Sequence, residues 1–356
     1  MRVTDVDAEL LKRMRASGCR LICFGLESAD DAILKSMRKG IRVDQIKRAL
    51  DLSYEAGIST EASNFIFGDV NETVETVANT LKVWWEYNHK THINLGLIHI
   101  YPGTYLYEDA CNRGIITDRE QFLRDGCPVV NVSKLSRSEF QDLRSLLSEL
   151  RLHPHVPAES VRIKDWLKNG QCQIEYRCRK CKALNLADAD FWFTQTCHCL
   201  SCGVKNEVDP FRGVLALPEA FGESLPRNRP IAMWGAGGIY YKLVWTYREL
   251  ASERFFLVDS NVEHHGLRIC QKAIHPPEAI RRRKTDTVII TALSRKDEIL
   301  ATLGRKFPLV KNVFVPDVKR QNNGVVPILA LLPASRPVTR KAAAGTLCGT
   351  GRIQMV

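Results

Sequence analysis

The stretch NFIFGDVNETVETVANTLKVWW, Asn64 to Trp85, decides the fold. It opens on a short apolar run, Phe65 to Phe67, of the kind a buried strand requires. Gly68 ends the run and permits close approach of the backbone to a ligand. Asp69 to Glu75 are turn and cap residues: Asn71 is placed to cap the next helix, and Glu72 and Glu75 suit its positive end. From Val74 onward apolar residues recur at helical spacing. Strand, glycine turn and helix in this order form the unit of a parallel α/β sheet. Such sheets bind ligands beyond the C-terminal ends of their strands.

Working outward, the unit recurs through residues 1–125. DAELLKRMRASG reads as a helix stopped by Gly18. CRLICFGLES reads as a strand, with Cys19 and Cys23 as core thiols. VDQIKRALDLSYEAG predicts a helix with Ile46, Ala49, Leu50 and Tyr54 on one face and Gly57 at its end. INLGLIHI is a strand that ends at the turn YPGT, and His99 on it reads as a core or pocket residue. Residues 126–170 read as a helical connector with a capping box from Ser136 to Glu139. Residues 225–320 return to alternation, and residues 321–356 read as a basic, disordered tail. No internal repeat stands out.

The chain has 356 residues, enough for two or three domains. No apolar run reaches the ~18 residues of a membrane span, and the charged start MRVTDVDAELLKRMRASGC is unlike a signal peptide. The expectation is a cytoplasmic protein, in whose reducing surroundings twelve cysteines point to metal rather than disulfides. The net charge is +11, but six of the basic residues follow Val318, where no acid occurs. That pattern is a solvated tail and does not indicate nucleic acid; a small-molecule substrate is the expected partner.

Three strand ends carry ligand-competent residues: Gly25 to Ser28, Ile66 to Thr73, and Tyr101 to Thr104. In order, GCRLICFGLESADDAILKSMRKG, FIFGDVNET and IYPGTYLYEDACNRGII resemble the fourth, fifth and sixth strand segments of a radical SAM barrel of the cobalamin-binding branch. The resemblance covers about residues 1–135, and Val70 replaces the proline of the family's I-x-G-x-P-x-E-T segment. It implies S-adenosylmethionine held by Glu27, Ser28, Ile66, Gly68, Glu72, Tyr101 and Pro102. It also implies a 4Fe–4S cluster, cobalamin in the parent protein, and radical methylation or rearrangement. The family's C-x3-C-x2-C cluster loop does not occur here: Cys19 and Cys23 have the first spacing, but Leu26 stands at the third position. The expectation is therefore the C-terminal part of a radical SAM protein, inactive alone. A separate N-terminal chain or fragment bearing the cluster loop would complete it. No catalytic residue is assigned. Such a partial (β/α) barrel leaves an open sheet edge, which predicts that residues 1–125 alone oligomerise while residues 225–320 fold independently.

Residues 171–209 contain Cys178-x2-Cys181 and Cys199-x2-Cys202, with seventeen residues between the pairs. Each turn aims two sulfurs at one point, and two turns joined by a hairpin make the tetrahedral four-sulfur site of a zinc ribbon. Such a closed site is structural. Tyr176, Phe191, Trp192 and Phe193 are its expected apolar support. The rival occupant is an auxiliary iron–sulfur cluster, with Cys172, Cys197 and His198 as spare ligands.

PIAMWGAGGIYYKL sets Gly235, Gly237 and Gly238 between a strand and a helix, and Asp259 follows 24 residues after Gly235. This is the Rossmann arrangement of amides for phosphate and an acid for ribose hydroxyls, with Tyr240 in place of the third glycine and positioned to crowd a pyrophosphate. The segment resembles the small Rossmann-like domains at the ends of sugar methyltransferases and acetyltransferases. The alternative function is accordingly a non-catalytic scaffold that binds a nucleotide-sugar or a protein.

Overall fold

The computed structural model describes residues 1–60, 63–167, 170–213, 221–222, 225–320 and 327–334. Its first part alternates α1 (Ala8–Ala16), β1 (Gly25–Glu27), α2 (Asp31–Ser36), α3 (Val43–Ala56), β2 (Asn64–Phe67), α4 (Val74–Tyr87) and β3 (Asn94–Leu97). The three strands pair in parallel in the order β1-β2-β3. Gly57, at φ 73°, ends α3 in the left-handed conformation that glycine tolerates. On α3 the buried residues are Ile46, Ala49, Leu50 and Ser53, while Tyr54 turns partly outward. Thr73, not Asn71, caps α4, in a reciprocal box with Thr76.

The strands alternate. Leu26, Phe65, Phe67 and Leu95 point into one core, with Ile46 and Leu50 of α3 and Trp84 of α4. Trp84 is fully buried, and its indole N–H donates to the Ile93 carbonyl at 2.9 Å. After α5 (Tyr105–Asn112) and α6 (Arg119–Arg124), helix α7 (Arg137–Leu150) returns to this core. It brings Phe140, Leu143 and Leu147, and just beyond it Arg151 donates to the Leu95 carbonyl at 2.8 Å, on the side of β3 away from β2. The helix opens on the capping box of Ser136 and Glu139.

The middle part is a meander of β4 (Ser160–Trp166), β5 (Gln171–Arg177) and β6 (Leu184–Asp190), followed by the hairpin β7 (Gln195–His198) and β8 (Lys205–Val208). The third part contains β9 (Ile231–Trp234), α8 (Gly238–Thr246), β10 (Phe255–Val258), β11 (Arg268–Ile269), β12 (Lys272–His275), α9 (Ala279–Arg282), β13 (Thr287–Ile290), α10 (Lys296–Lys306), β14 (Asn312–Arg320) and β15 (Pro327–Pro333). Its sheet order is β11-β12-β10-β9-β13-β14-β15. The run β12-β10-β9-β13-β14 is parallel and reverses direction of travel at β9, the doubly wound order with its switch point between β9 and β13. Ile231 and Met233 face one core and Ala232 and Trp234 the other, so both faces are covered.

Further expectations change here: residues 160–166, read as part of a helical connector, form strand β4 paired with β5. Residues 327–333, expected as tail, form the antiparallel edge strand β15 against β14. The remainder of 321–356, apart from Ala334, lies outside the described residues. Cys23 is exposed and Cys19 half-buried, because the strand shortens to Gly25–Glu27 and leaves both before it.

Candidate functional site

The β1–β3 sheet has one buried face and one face that stays half open. Gly25, Glu27, Asn64, Ile66 and Gly96 lie on the open one, none of them buried. A side chain added at Gly96 would make only ordinary contacts, at 3.7 Å or more, so its lack of one leaves space that packing does not fill. Glu27 sits at a register shift with φ 61°, a left-handed conformation uncommon for glutamate, and pairs with Lys39 at 2.7 Å. Lys39 escapes a motif search because nothing local marks it.

The other expected ligands are placed differently. The Ser28 hydroxyl is buried and shares a hydrogen bond with Thr80 of α4 at 3.0 Å. Gly68 has φ 104°, and its N–H donates to the Glu72 carboxylate at 3.1 Å. Glu72 is buried; burial raises its pKa above the ordinary carboxylate range against the opposing bonds from Thr76 and Gly68. It therefore closes its own turn. Tyr101 and Pro102 are exposed beyond β3, where Tyr101 stacks with an exposed His99, which is therefore not a core residue. A 4Fe–4S cluster does not fit these residues: among the described residues no third thiolate joins Cys19 and Cys23, and Leu26 is fully buried.

Four sulfurs converge elsewhere. Sγ atoms of Cys178, Cys181, Cys199 and Cys202 all lie within 4.8 Å of one another, with Cys178–Cys202 at 3.7 Å and Cys181–Cys199 at 3.5 Å. A tetrahedron with metal–sulfur bonds of about 2.3 Å has edges of about 3.8 Å, so this set could hold one metal ion. Cys172, Cys197 and His198 do not join it among the described residues: Cys172 bonds the Ala189 carbonyl and His198 the Gly203 carbonyl. Tyr176 is buried next to the site, its hydroxyl donating to the His198 carbonyl at 3.4 Å. Phe191 and Trp192 instead pack with each other and with Phe211 at the opposite end of β5 and β6, and Phe193 is largely exposed. The cluster docks on the first part of the chain. Arg179 donates to the His89 and Lys90 carbonyls, Lys180 to Tyr54 at 2.7 Å, and Arg15 to Cys202 at 3.2 Å. These contacts gather at the C-terminal ends of α1, α3 and α4, opposite the strand ends described above.

Comparison with known proteins places the first part. Residues 2–83 match the radical SAM superfamily. The anaerobic magnesium-protoporphyrin IX monomethyl ester cyclase of Cereibacter sphaeroides is 34% identical over 143 residues, which are 40% of this chain and 23% of that protein. The enzyme of the same name from Rubrivivax gelatinosus is 31% identical over 143 residues, covering 40% and 25%. An uncharacterized methyltransferase of Pyrococcus horikoshii is 33% identical over 118 residues, covering 32% and 25%. The chain thus spans about a quarter of the length of these curated relatives. The radical SAM match includes β1 with Glu27, β2 with Ile66, Gly68 just after it, and most of α4. Among the described residues no helix is long and apolar enough to cross a membrane.

Beyond the radical SAM segment, a cavity of about 1040 Å³ opens past the C-terminal ends of β9, β10 and β13. Gly237, Gly238 and Asp259 line it on one side, and Lys205, Glu207 and Trp192 of the cysteine-rich part on another. Gly235 serves packing: φ is 124°, and a Cβ there would meet Ala292 at 2.6 Å. Asp259 is engaged, accepting from the Ala236 and Asn261 amides at 2.8 Å each. Burial raises its pKa, but bonds from His264, Ala236 and Asn261 outweigh that and leave it lowered. Tyr240 is fully buried away from the cavity wall and does not crowd it, because the turn of α8 carries it into the core; Ile239 and Tyr241 line the cavity instead.

Proposed function

We propose that residues 1–125 form part of a radical SAM (β/α) barrel and supply the adenosine side of an S-adenosylmethionine site. The half-open face of Gly25, Glu27 and Ile66 within the matched radical SAM segment, continued by Gly96 beyond it, carries this reading. S-adenosylmethionine would lie against Ile66 and Gly96, with Glu27, held by Lys39, near its hydroxyls or amine. Bound there it supplies a precursor of a carbon radical; this chain's own residues bind and orient it. The sequence has no C-x3-C-x2-C loop, so cluster ligands, and cobalamin where the parent uses it, belong to another polypeptide segment. Radical methylation or a rearrangement is the proposed parent reaction, in keeping with relatives named as methyltransferase and cyclase. Equilibrium dialysis with labelled S-adenosylmethionine tests this: weak binding is expected, lost in Ile66→Asp. The purified chain with iron, sulfide and strong reductant should form no 5′-deoxyadenosine. Absent binding, or turnover by the chain alone, would overturn the reading.

Zinc is the proposed occupant of the four-sulfur site, in a structural role. A cubane cluster places its thiolates on separate irons, farther apart than one ion does, so the close sulfur edges favour a single ion. A second reading rests on the cavity at the doubly wound sheet's switch point. A Rossmann-like domain there would bind a nucleotide or nucleotide-sugar, with phosphate at Gly237 and Gly238, and Asp259 holding the turn. Thermal shift with nucleoside diphosphate-sugars tests it, with Gly238→Asp abolishing the shift.

A further inference from the structure

The two cysteine turns are one motif written twice. Cys178 to Asn185 reads CRKCKALN, and Cys199 to Asn206 reads CLSCGVKN; both are C-x2-C-x3-N. Their backbones agree bond for bond. The Cys178 N–H donates to Ala183 at 2.9 Å, and the Cys199 N–H to Val204 at 3.0 Å. Lys182 donates to the Cys178 carbonyl at 3.1 Å, and Gly203 to the Cys199 carbonyl at 2.8 Å, with φ of 65° and 76°. This is an internal repeat, hidden in the sequence because only three positions of each copy share a side chain.

Each asparagine then crosses to the opposite copy. Asn206 donates Nδ2–H to Cys178 Sγ at 3.7 Å, and its Oδ1 accepts from the Arg179 amide at 2.9 Å. Asn185 donates to Cys199 Sγ at 3.6 Å, and its Oδ1 accepts from the Leu200 amide at 2.9 Å. The second Nδ2 hydrogen of each returns to its own turn, Asn185 to Ala183 and Asn206 to Val204, both at 2.9 Å. Both carboxamides are buried, so three bonds fix the orientation of each and a flip would lose them.

We propose that Asn185 and Asn206 are reciprocal clamps of the metal site. Each holds the first cysteine of the turn it does not belong to, which couples the two halves. The inference rests on the four-sulfur site holding a divalent ion. Four thiolates around such an ion carry excess negative charge, and an N–H aimed at a sulfur stabilises that charge and withholds its lone pair from other reagents. The pairing also aligns the two turns before the ion arrives, so neither knuckle opens without breaking bonds in the other.

The full chain loaded with Zn(II) tests the proposal through zinc transfer to a chromophoric chelator and mass-spectrometric mapping of N-ethylmaleimide labelling. Asn185→Asp and Asn206→Asp keep the oxygen that the backbone amides need and remove the N–H aimed at sulfur. Zinc release should quicken about 10–100-fold. The added labelling should fall first on Cys199 in Asn185→Asp and first on Cys178 in Asn206→Asp. If an aspartate variant does not hold zinc, Asn185→Gln and Asn206→Gln are read for the same crossed pattern. Unchanged release, labelling raised on the asparagine's own turn, or labelling raised equally at all four cysteines overturns the clamp while the metal reading stands. Wild-type chain that holds no stoichiometric zinc overturns both.

Discussion

At the scale of single residues, two glycines of one turn separate packing from ligand access. Gly235 has a left-handed φ and sits against the Ala292 backbone, while a Cβ at Gly238 would meet nothing within 4 Å. Gly235→Ala should therefore cost about 1–3 kcal/mol in backbone strain. Displacing Ala292 adds a comparable ~1–3 kcal/mol. Gly238→Ala, at the first residue of α8, should be neutral or stabilising by up to ~1 kcal/mol. Urea midpoints measure both; equal effects would mean that the turn is not set by the approach of residues 291–292. Ser28 belongs to the same class of residue. Its sequence context suggests a ligand, yet its hydroxyl bonds Thr80 and accepts from the Asp30 amide, so Ser28→Ala should cost about 1–3 kcal/mol in stability by removing both bonds.

At the scale of elements, α7 and β15 change what a stable fragment must contain. Phe140, Leu143 and Leu147 complete the core beneath β1–β3, and Arg151 bonds the far side of β3. A fragment ending at residue 125 loses all four. Residues 1–125 alone should therefore aggregate, whereas residues 1–152 should be markedly more soluble, with Phe140→Ala costing about 3–5 kcal/mol in the full chain. Size-exclusion chromatography of the two fragments checks this; matching elution would show that α7 covers nothing essential. In the same way β15 pairs along β14 from Phe314 to Arg320, so a fragment of residues 225–334 should melt higher than one of residues 225–320.

At the scale of the whole molecule, the first and middle parts meet around His92, His155, Lys205 and Glu207. His92 and His155 stack with centroids 4.0 Å apart. Burial, with Lys205 beside it, pushes the His92 pKa down to about 4. Burial, with His92 close by, pushes His155 to about 3. Both are neutral when folded and titrate near the ordinary ~6.5 when unfolded. The unfolded chain thus binds more protons below that pH, and stability present above it is lost as pH falls toward 4. Glu207 acts with opposite sign: burial raises its folded pKa, so it takes up its proton more readily in the native state. Melting temperatures between pH 7.5 and 5 should fall, and His155→Gln should flatten the slope; an identical slope in the variant would assign the acid loss to the metal site. Stripping the metal at pH 7.5 should lower the melting temperature and open residues 171–209 to protease, since binding energy in such a module is folding energy.

Alternation of strand and helix, the four cysteines, the Ser136 box and the stop at Gly57 were all legible in the sequence, because each depends on neighbours a few residues apart. Residues that chain folding alone brings together were not. Nothing local says that Ser28 turns to Thr80, that Tyr240 turns from the cavity, that Pro327–Pro333 finds β14, or that Asn206 reaches Cys178. Local periodicity offers each side chain a face. The surface that face meets is set by elements distant in sequence, and so only by the folded chain.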